Sequence, residues 1–349
     1  MQTLSGLKIT VGITAYNRPE FLREAVRSVL QQSFESFELI ISNDYPEVAV
    51  TLDCLGIKDD SRVKIVNQDS NLGEVKNMNY LLDVAQGEWF VWLADDDLLH
   101  PEFLMRASKA ILSNQDSSIV GFFSNYIAAS CPDGVFPTTL GLNQCVRYDA
   151  ARFLVEYTSR KIPLIGCYGV MRVDSLRKIG GMPSLGSSFG PYSDTLIPIL
   201  LAEHGELCWV DEPLVFLRTH ADSLSCKSAE FAAFTSAEAD FLRNLKRICD
   251  SKAGNLRTDE VVANMVRWFL INEWVVLCRA SSLSKYVAAM RFIEYQVITN
   301  LPRLSLGYWP HHISVVLRIL GMQLAIWVYA RLRTALKRNQ SAFLRSMPR

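Results

Sequence analysis

Three consecutive aspartates, Asp95, Asp96 and Asp97, follow directly on the apolar run 89–94. The aromatic and β-branched residues of that run predict a buried strand. Three carboxylates at the end of a core strand raise one another's pKa unless a positive group offsets their charge. A divalent cation that carries a phosphate is the usual such group, since hard cations prefer oxygen ligands. The alternative is a solvated acidic loop before a helix that starts near Pro101.

Short apolar runs alternate with helical patterns through most of the chain. Strands are predicted at 8–13, 37–41, 62–66, 88–94, 119–128, 206–210 and 213–217. Helices are predicted at 20–32, 74–85, 101–113, 149–157, 173–179 and 194–204, and residues 131–147 read as a loop. This alternation predicts an α/β fold with a mostly parallel sheet covered on both faces. In such sheets ligands bind at the carboxyl ends of strands, where the three aspartates lie.

The length of 349 residues suits two domains, or one large domain with an appendage. After Ala229 the pattern becomes almost wholly helical, so we expect domains at 1–225 and 226–349. The 36 basic and 36 acidic residues balance, which argues against a general nucleic-acid-binding protein.

The carboxyl-terminal part is basic, because no acidic residue follows Glu294. Residues 313–330 are apolar apart from Ser314, Arg318 and Gln323, and a basic segment follows them. This stretch falls just short of the roughly 20 residues that span a bilayer, and Arg318 also argues against a span. It is either a buried helix of a helical subdomain or a helix in the membrane interface, with its basic flank on anionic lipids.

The eight cysteines are scattered without a C-x-x-C pair, which argues against a zinc site and against a redox motif. A chain of this size does not need disulfides, so a reducing compartment is expected. The first residues lack the basic and long apolar regions of a signal peptide and predict the first strand instead. The expected location is the cytoplasm, either free or peripheral at the inner face of the cell membrane.

Five ordered blocks within about residues 8–225 carry a resemblance to a known family. They are ITVGITAYNRPEFLREAVRSVLQQSFESFELIISND, NLGEVKNMN, GEWFVWLADDDLLHPEFL, GPYSDTLIPILLAEHG and VDEPLVFLRTHADSLS. Together they resemble family 2 glycosyltransferases of the GT-A fold, among them bacterial polysaccharide-synthesis enzymes. The resemblance implies an inverting transferase that moves a sugar from a nucleotide donor, UDP above all, to a glycan or lipid-linked acceptor of the bacterial envelope. Domain 1–225 would then be catalytic.

The resemblance assigns the nucleobase to the ends of the first two strands. Thr14, Ala15, Tyr16 and Asn17 would meet the base, and Asp44 would accept a hydrogen bond from a uracil N–H. Asn17 as a helix N-cap is an alternative. Asp44 as a turn aspartate bound to its own backbone is another.

The resemblance also implies a Mn²⁺ or Mg²⁺ ion at the acidic triplet, where it would neutralise the departing diphosphate. Asp96 would bind the metal, with Asp97 as a secondary candidate, and Asp95 would meet the ribose or a metal-bound water. His220 would complete the metal shell and Arg218 would reach phosphate or a nearby acid. A structural role for His220 remains the alternative.

Asn79 stands in family spacing, but Met78 occupies the place of a common arginine. Lys76 would replace that charge near the phosphates, unless it is an ordinary solvated lysine of a helix.

Asp194 follows a glycine-rich loop and precedes a helix, the place where the family has its general base. It would take the proton of the acceptor hydroxyl. The alternative is that Asp194 caps the helix, although Ser193 could cap it equally well.

Two other functions stay open. A nucleotidyltransferase also joins such a sheet to acids and a metal, but it would want a glycine-rich loop after the first strand, and residues 14–19 contain no glycine. A non-catalytic nucleotide-sugar-binding protein would bind the donor without transferring it.

Overall fold

The computed structural model describes residues 6–113, 118–130, 136, 141, 144–186, 190–220, 231–251, 258, 260–265 and 268–269. The chain divides into two compact units, Met1–Tyr286 and Val287–Arg349, and all described residues belong to the first.

The amino-terminal part of the chain alternates strands and helices, as predicted. Its elements are β1 (Ile9–Ala15), α1 (Pro19–Leu30), β2 (Phe37–Asn43), β3 (Val63–Asn67), α2 (Glu74–Val84) and β4 (Trp89–Ala94). Helix α1 has proline at its first position and buries one apolar face, formed by Leu22, Ala25, Val26 and Val29. Strand β4 is buried along nearly its whole length, as a central strand covered on both faces should be.

The later elements are shorter and less regular. They are β5 (Leu98–Leu99), α3 (Phe103–Leu112), β6 (Ile119–Ala129), β7 (Val146–Tyr148), α4 (Ala150–Thr158), a 3₁₀ turn (Gly166–Tyr168), β8 (Val170–Arg172), α5 (Val173–Lys178), α6 (Ser193–Leu201), β9 (Glu206–Arg218) and α7 (Phe231–Ser251).

The described strands form one sheet in the order β3-β2-β1-β4-β8-β6-β9-β5, with β7 paired to β9. Strands β3, β2, β1 and β4 are parallel, and so are β6 and β9. Strand β8 is antiparallel to both of its neighbours, β4 and β6. The fold is therefore α/β with a mostly parallel sheet, as predicted, in which only the short strands β5, β7 and β8 run against their partners among the described strands.

Several predicted boundaries are wrong. Helix α3 starts at Phe103, so Pro101 lies outside it. The predicted strands 206–210 and 213–217 are one strand, β9, and the first two residues of β7 fall in the predicted loop 131–147. Asn17 is not the N-cap of α1. That position belongs to Arg18, and Asn17 has a left-handed backbone with φ 52°.

Helix α7 follows the predicted domain boundary and packs on α6 within the first unit, burying Ala237, Phe241 and Leu245. Residues 260–265 are also helical, in line with the expected helical pattern. The domains 1–225 and 226–349 stay a prediction, and residues 313–330 lie outside the described residues. In the part of the chain that the structure describes, no helix combines the length and apolar character needed to cross a membrane.

Candidate active site

The three aspartates lie where two parallel strands end side by side. Strand β4 pairs with β1 up to Thr14 and Ala94, so the residues after both strands meet at one edge of the sheet. Asp95, Asp96 and Asp97 are only 3%, 8% and 2% exposed. The alternative of a solvated acidic loop is therefore wrong, and three nearly buried carboxylates require compensating partners.

Arg18 supplies one such partner, from the residue that precedes α1. Its Nη1 lies 2.9 Å from Asp95 Oδ1 and 2.7 Å from Asp96 Oδ2. The backbone N–H of Tyr16 donates to Asp95 Oδ2 at 2.9 Å. Burial raises the pKa of Asp95 to about 6, while the Arg18 charge and the Tyr16 hydrogen bond act against that rise.

The end of β9 adds two more partners to the acids. His220 Nε2 lies 3.0 Å from Asp96 Oδ2, and Arg218 Nε donates to the backbone oxygen of Asp96 at 2.8 Å. Arg218 also pairs with Glu24 at 2.5 Å and lies over the ring of Phe21, with 4.4 Å between its Cζ and the ring centroid. Helix α1 thus holds the Arg218 side chain in place beside the acidic edge.

Asp97 is engaged at both carboxylate oxygens. Oδ1 accepts from the Arg218 backbone N–H at 2.7 Å, and Oδ2 accepts from the Tyr168 hydroxyl. Burial, followed by the charge of Asp96, raises the pKa of Asp97. Asp97 therefore ties the end of β4 to β9 and to the 3₁₀ turn, and its role as a metal ligand stays a prediction.

The same edge of the sheet offers two groups that suit a divalent cation. Asp96 Oδ2 and His220 Nε2 converge, and a carboxylate oxygen with an imidazole nitrogen is a common donor pair. Among the described residues, no three carboxylate, imidazole or thiol groups converge as a complete metal site would. Asp96 and His220 would fill two coordination positions of the cation, and substrate oxygens and water would fill the others. Arg18 would have to leave Asp96 Oδ2, the oxygen that it shares with His220.

Asp44 lies at the end of β2 and binds the loop before α2. Its carboxylate accepts from the backbone N–H groups of Leu72 at 2.7 Å and Gly73 at 2.9 Å. Its own N–H donates to the Ala15 oxygen at 2.9 Å. Asp44 is therefore not a turn aspartate bound to its own backbone, and hydrogen bonding to a base stays a prediction.

Two tyrosines flank Asp44 on the outside of the strand ends. Tyr16 is 48% exposed, and its ring lies edge-on to Tyr45 with 5.3 Å between centroids. Tyr45 is half-buried, and the exposed ring of Tyr16 is suited to stacking against a flat ligand. Thr14 and Ala15 lie at the end of β1 beneath them and are mostly or wholly buried.

The two predicted phosphate-side residues of α2 differ. Lys76 is exposed to solvent. Asn79 donates to the Met182 oxygen at 3.0 Å and accepts from the Met182 N–H at 2.8 Å, so its amide fastens the segment after α5. Phosphate binding by either residue stays a prediction.

Asp194 is the second residue of α6, and neither it nor Ser193 caps that helix. The N-cap is Tyr192, with φ 65° and no side-chain hydrogen bond to the helix, and the Ser193 hydroxyl donates to the Pro183 oxygen. Burial raises the pKa of Asp194, and hydrogen bonds from Thr195 act in the other direction. The capping alternative is therefore wrong, and the carboxyl is held in a poorly hydrated place.

Glycine at position 166 permits this arrangement. A Cβ there would lie 1.8 Å from the Asp194 backbone oxygen. The 3₁₀ turn and the start of α6 are thus in backbone contact.

The profile of a family described as "Glycosyl transferase family 2" matches residues 10–179. This part of the chain belongs to glycosyl transferase family 2. The matched glycosyltransferase region contains the acidic triplet, Asp44 and the 3₁₀ turn, whereas Asp194, Arg218 and His220 lie beyond it.

Similar proteins agree with this assignment. A Campylobacter jejuni protein named GalNAc(5)-diNAcBac-PP-undecaprenol beta-1,3-glucosyltransferase is 31% identical over 120 residues, 34% of this chain and 38% of that protein. An uncharacterized glycosyltransferase of Haemophilus influenzae is 27% identical over 121 residues, 34% of this chain and 37% of that protein. The matched segments thus span well under half of these curated relatives.

Solved structures extend the likeness in fold. Staphylococcus aureus TarS 1–349, crystallised in complex with UDP-GlcNAc, superposes with a TM-score of 0.56 at 14% identity. The alignment covers 83% of this chain and 81% of the TarS chain. The glycosyltransferase region therefore has the GT-A fold, and the likeness shows the fold alone.

Glu74 is a residue near the acidic triplet that sequence reasoning missed. It begins α2 and is exposed, yet loss of water around its carboxyl raises its pKa to about 7. The next causes are the charges of Asp194 and Asp96, opposed by Arg18. The charges of Asp96 and Asp194 thus both act on the Glu74 carboxyl.

Arg18 was also missed, although a signal existed. It precedes Pro19, and proline at the first helical position indicates that residue 18 lies at the start of a helix. Arg18 also follows β1, which pairs with β4, the strand that ends at the acidic triplet. A basic residue at this position is placed to neutralise those acids.

Proposed function

We propose that this chain is an inverting glycosyltransferase that transfers a sugar from a UDP-sugar to a hydroxyl group of a glycan or lipid-linked acceptor in bacterial envelope polysaccharide synthesis. The observation that carries the proposal is that the turn Gly166–Tyr168 contacts both Asp97, through the Tyr168 hydroxyl, and the backbone of Asp194, against Gly166, so the acidic triplet and Asp194 are neighbours. The family match supports the reaction class. The relative named for an undecaprenol-diphosphate-linked substrate supports the acceptor class, and the TarS complex with UDP-GlcNAc supports the donor.

The donor's base and ribose are assigned to the ends of β1, β2 and β4. Tyr16 offers an exposed ring for the base, with the half-buried ring of Tyr45 beside it, and Asp44 offers a carboxylate in a residue that is 4% exposed. Asp95 lies next in the same row and would accept hydrogen bonds from ribose hydroxyls. The pKa of Asp95 is raised because little water reaches its carboxyl, and hydrogen bonds from a sugar would take the place of that water.

The donor's diphosphate is assigned to the edge formed by Arg18, Asp96 and His220. Asp96 and His220 are the residues that fit Mn²⁺ or Mg²⁺, with Asp97 as the further candidate. A divalent cation bound there would neutralise the charge that develops on the departing diphosphate. Arg18 can bind a phosphate oxygen bidentately once it leaves the carboxylates, since guanidinium matches oxyanion geometry.

Asp194 is assigned the general-base role. The acceptor oxygen attacks the anomeric carbon, the bond from that carbon to the diphosphate oxygen breaks, and the proton of the hydroxyl passes to Asp194. Nucleoside diphosphate leaves with the bonding electrons. A pKa raised by burial brings a carboxylate closer to the range in which a general base is effective.

The test begins with nucleotide binding. Melting temperatures of the full chain are measured with UDP, GDP and ADP, each with and without Mn²⁺. We expect the largest rise in melting temperature with UDP and Mn²⁺, because ligands that bind only the folded state stabilise it. A larger rise with GDP would refute the uracil assignment of Asp44.

The second step tests transfer. Release of nucleoside diphosphate from nucleotide sugars is followed with and without glycan acceptors. Binding of donor without release under any condition would identify a non-catalytic nucleotide-sugar-binding protein instead.

A further inference from the structure

Arg160 occupies a backbone position that normally favours glycine. It is the second residue after α4 and has φ 65°. The Arg160 N–H donates to the Tyr157 oxygen and the Lys161 N–H to the Glu156 oxygen, each at 3.0 Å, which is the hydrogen-bond pattern of a Schellman motif. Because glycine adopts this conformation without a steric penalty, the turn itself does not explain an arginine here.

The Arg160 guanidinium lies over an indole ring. Its Cζ is 3.9 Å from the ring centroid of Trp268 and 6.0 Å from that of Tyr157. The residue is exposed to solvent, while protein around the guanidinium lowers its pKa by desolvation. In the part of the chain that the structure describes, no carboxylate forms an ion pair with it. A guanidinium stacked by its face keeps its N–H groups in the plane, where they can donate to an oxyanion.

Arg152, at the other end of α4, provides an internal comparison. It lies 4.5 Å over the ring of Tyr148, but its Nε pairs with Glu156 at 3.0 Å. Its charge therefore has a partner within the protein. Arg160 has the same stacked arrangement without that partner.

The Arg160 stack lies beside the start of α6, where Asp194 is located. The Tyr157 hydroxyl donates to the backbone oxygen of Thr195, the residue after Asp194, at 3.4 Å. Trp268 lies 5.2 Å, centroid to centroid, from Tyr192, two residues before Asp194. The Arg160 charge also opposes the rise in the pKa of Asp194, as a cation nearby should.

We propose that Arg160, held by Trp268, binds a phosphate group of the sugar acceptor next to the general base. The inference rests on the proposed function and narrows its acceptor to a phosphate-bearing glycan. Arg160 has no ion-pair partner among the described residues, so its charge can pair with an anionic group of the acceptor. The donor's diphosphate is the other source of the same chemistry, and the experiment separates the two.

The first experiment measures binding of inorganic phosphate to the full chain by calorimetry, with the donor site saturated by UDP and Mn²⁺ and again without nucleotide. Arg160→Gln is expected to weaken phosphate binding about tenfold or more, since a bidentate charged pair is lost. Arg152→Gln is the matched control and should bind phosphate as the wild type does. The wild-type affinity should fall as salt rises.

Each other result has a defined meaning. Phosphate affinity that is absent in the wild type or unchanged by Arg160→Gln overturns the inference. A loss of UDP affinity in Arg160→Gln assigns the arginine to the donor and also overturns it. A wild-type chain that binds phosphate but no nucleotide refutes the proposed function and leaves the phosphate site standing.

The second experiment separates binding from folding and from support of Asp194. Arg160→Gly removes the side chain at a position that suits glycine, so the melting temperature should be retained while phosphate affinity falls. A lowered melting temperature with intact phosphate binding would show a structural role and overturn the inference. A pH profile of kcat that changes in Arg160→Gly equally for neutral and phosphorylated acceptors would also overturn the inference, because Arg160 would then act on Asp194 and not on the acceptor.

Discussion

Arg18 Nη1 and Asp96 Oδ2 lie 2.7 Å apart, at the same oxygen that faces His220 Nε2. The guanidinium pairs with an oxygen that would ligate a divalent cation, and it pairs with Asp95 as well. The chain thus carries a built-in counter-charge for its acidic edge. Metal binding and Arg18 are expected to compete for one carboxylate oxygen.

Arg18→Gln should destabilise the protein in the presence of a chelator. The acids are nearly buried, so their charges lose compensation, and the free energy of unfolding should fall by about 1–3 kcal/mol. Mn²⁺ should then raise the melting temperature more in the variant than in the wild type. Arg23→Gln on the same helix, whose pair with Glu20 is solvent exposed, should change neither value. Equal Mn²⁺ responses in Arg18→Gln and wild type would refute the competition.

Glu74 should make stability fall as pH rises. Its folded pKa is about 7, above the usual glutamate value of 4.5, so its ionised form is disfavoured in the folded state. Below about pH 4.5 the carboxyl is protonated in both states and has no effect. Between about pH 4.5 and 7 the wild type loses stability that Glu74→Gln keeps, and above pH 7 the difference is constant.

Melting curves across this pH range measure the effect. Glu20→Gln, at an exposed site in the first turn of α1, should show no such window. A stability difference between Glu74→Gln and the wild type that shrinks with rising pH would contradict the raised pKa of Glu74.

Asp194→Asn should remove catalysis while keeping donor binding. The shape of the side chain is retained and the acidic triplet is untouched, so UDP affinity should stay within about twofold. The kcat should fall by roughly 10²–10⁴, the usual contribution of a positioned base. Glu203→Gln is a suitable control, because Glu203 follows the same helix and pairs with Arg247 at 2.8 Å. Unchanged kcat in Asp194→Asn would send the search for the base to other carboxylates, Asp211 among them.

Tyr16→Ala should weaken nucleotide binding. Stacking of a base on an aromatic ring contributes about 1–3 kcal/mol, so the dissociation constant of UDP should rise by roughly 5- to 150-fold. Tyr16→Phe should keep the affinity, since the ring remains. Val48, also exposed at 60%, provides the control Val48→Ala. A loss equal in the phenylalanine variant would point to the hydroxyl and not to stacking.

The local parts of this fold could be read from sequence. The run before Asp95 predicts β4, and the apolar period after Pro19 predicts α1, because each pattern lies within one element. Strands β5 and β8 have two and three residues and show no period at all. They exist because longer neighbours offer hydrogen bonds, which no local pattern reveals.

The site follows the same division. The place of Asp95, Asp96 and Asp97 follows from one strand, and their exposure was the only open question. The partners of these acids come from residues far along the chain, as Tyr168 does for Asp97 and His220 for Asp96. Asn79 shows the limit most clearly, because its spacing fits a phosphate role while its amide is bound to Met182.

The turn Gly166–Tyr168 acts as a spacer of fixed length between two chemical tasks. Its last residue holds Asp97 behind the acidic edge, and its first has no room for a side chain against the Asp194 backbone. The separation between the proposed leaving-group side and the proposed base side is thus set by three buried residues. Changes in acceptor preference that keep the chemistry intact are therefore expected in the surrounding loops, while an insertion in this turn would uncouple bond breaking from proton removal.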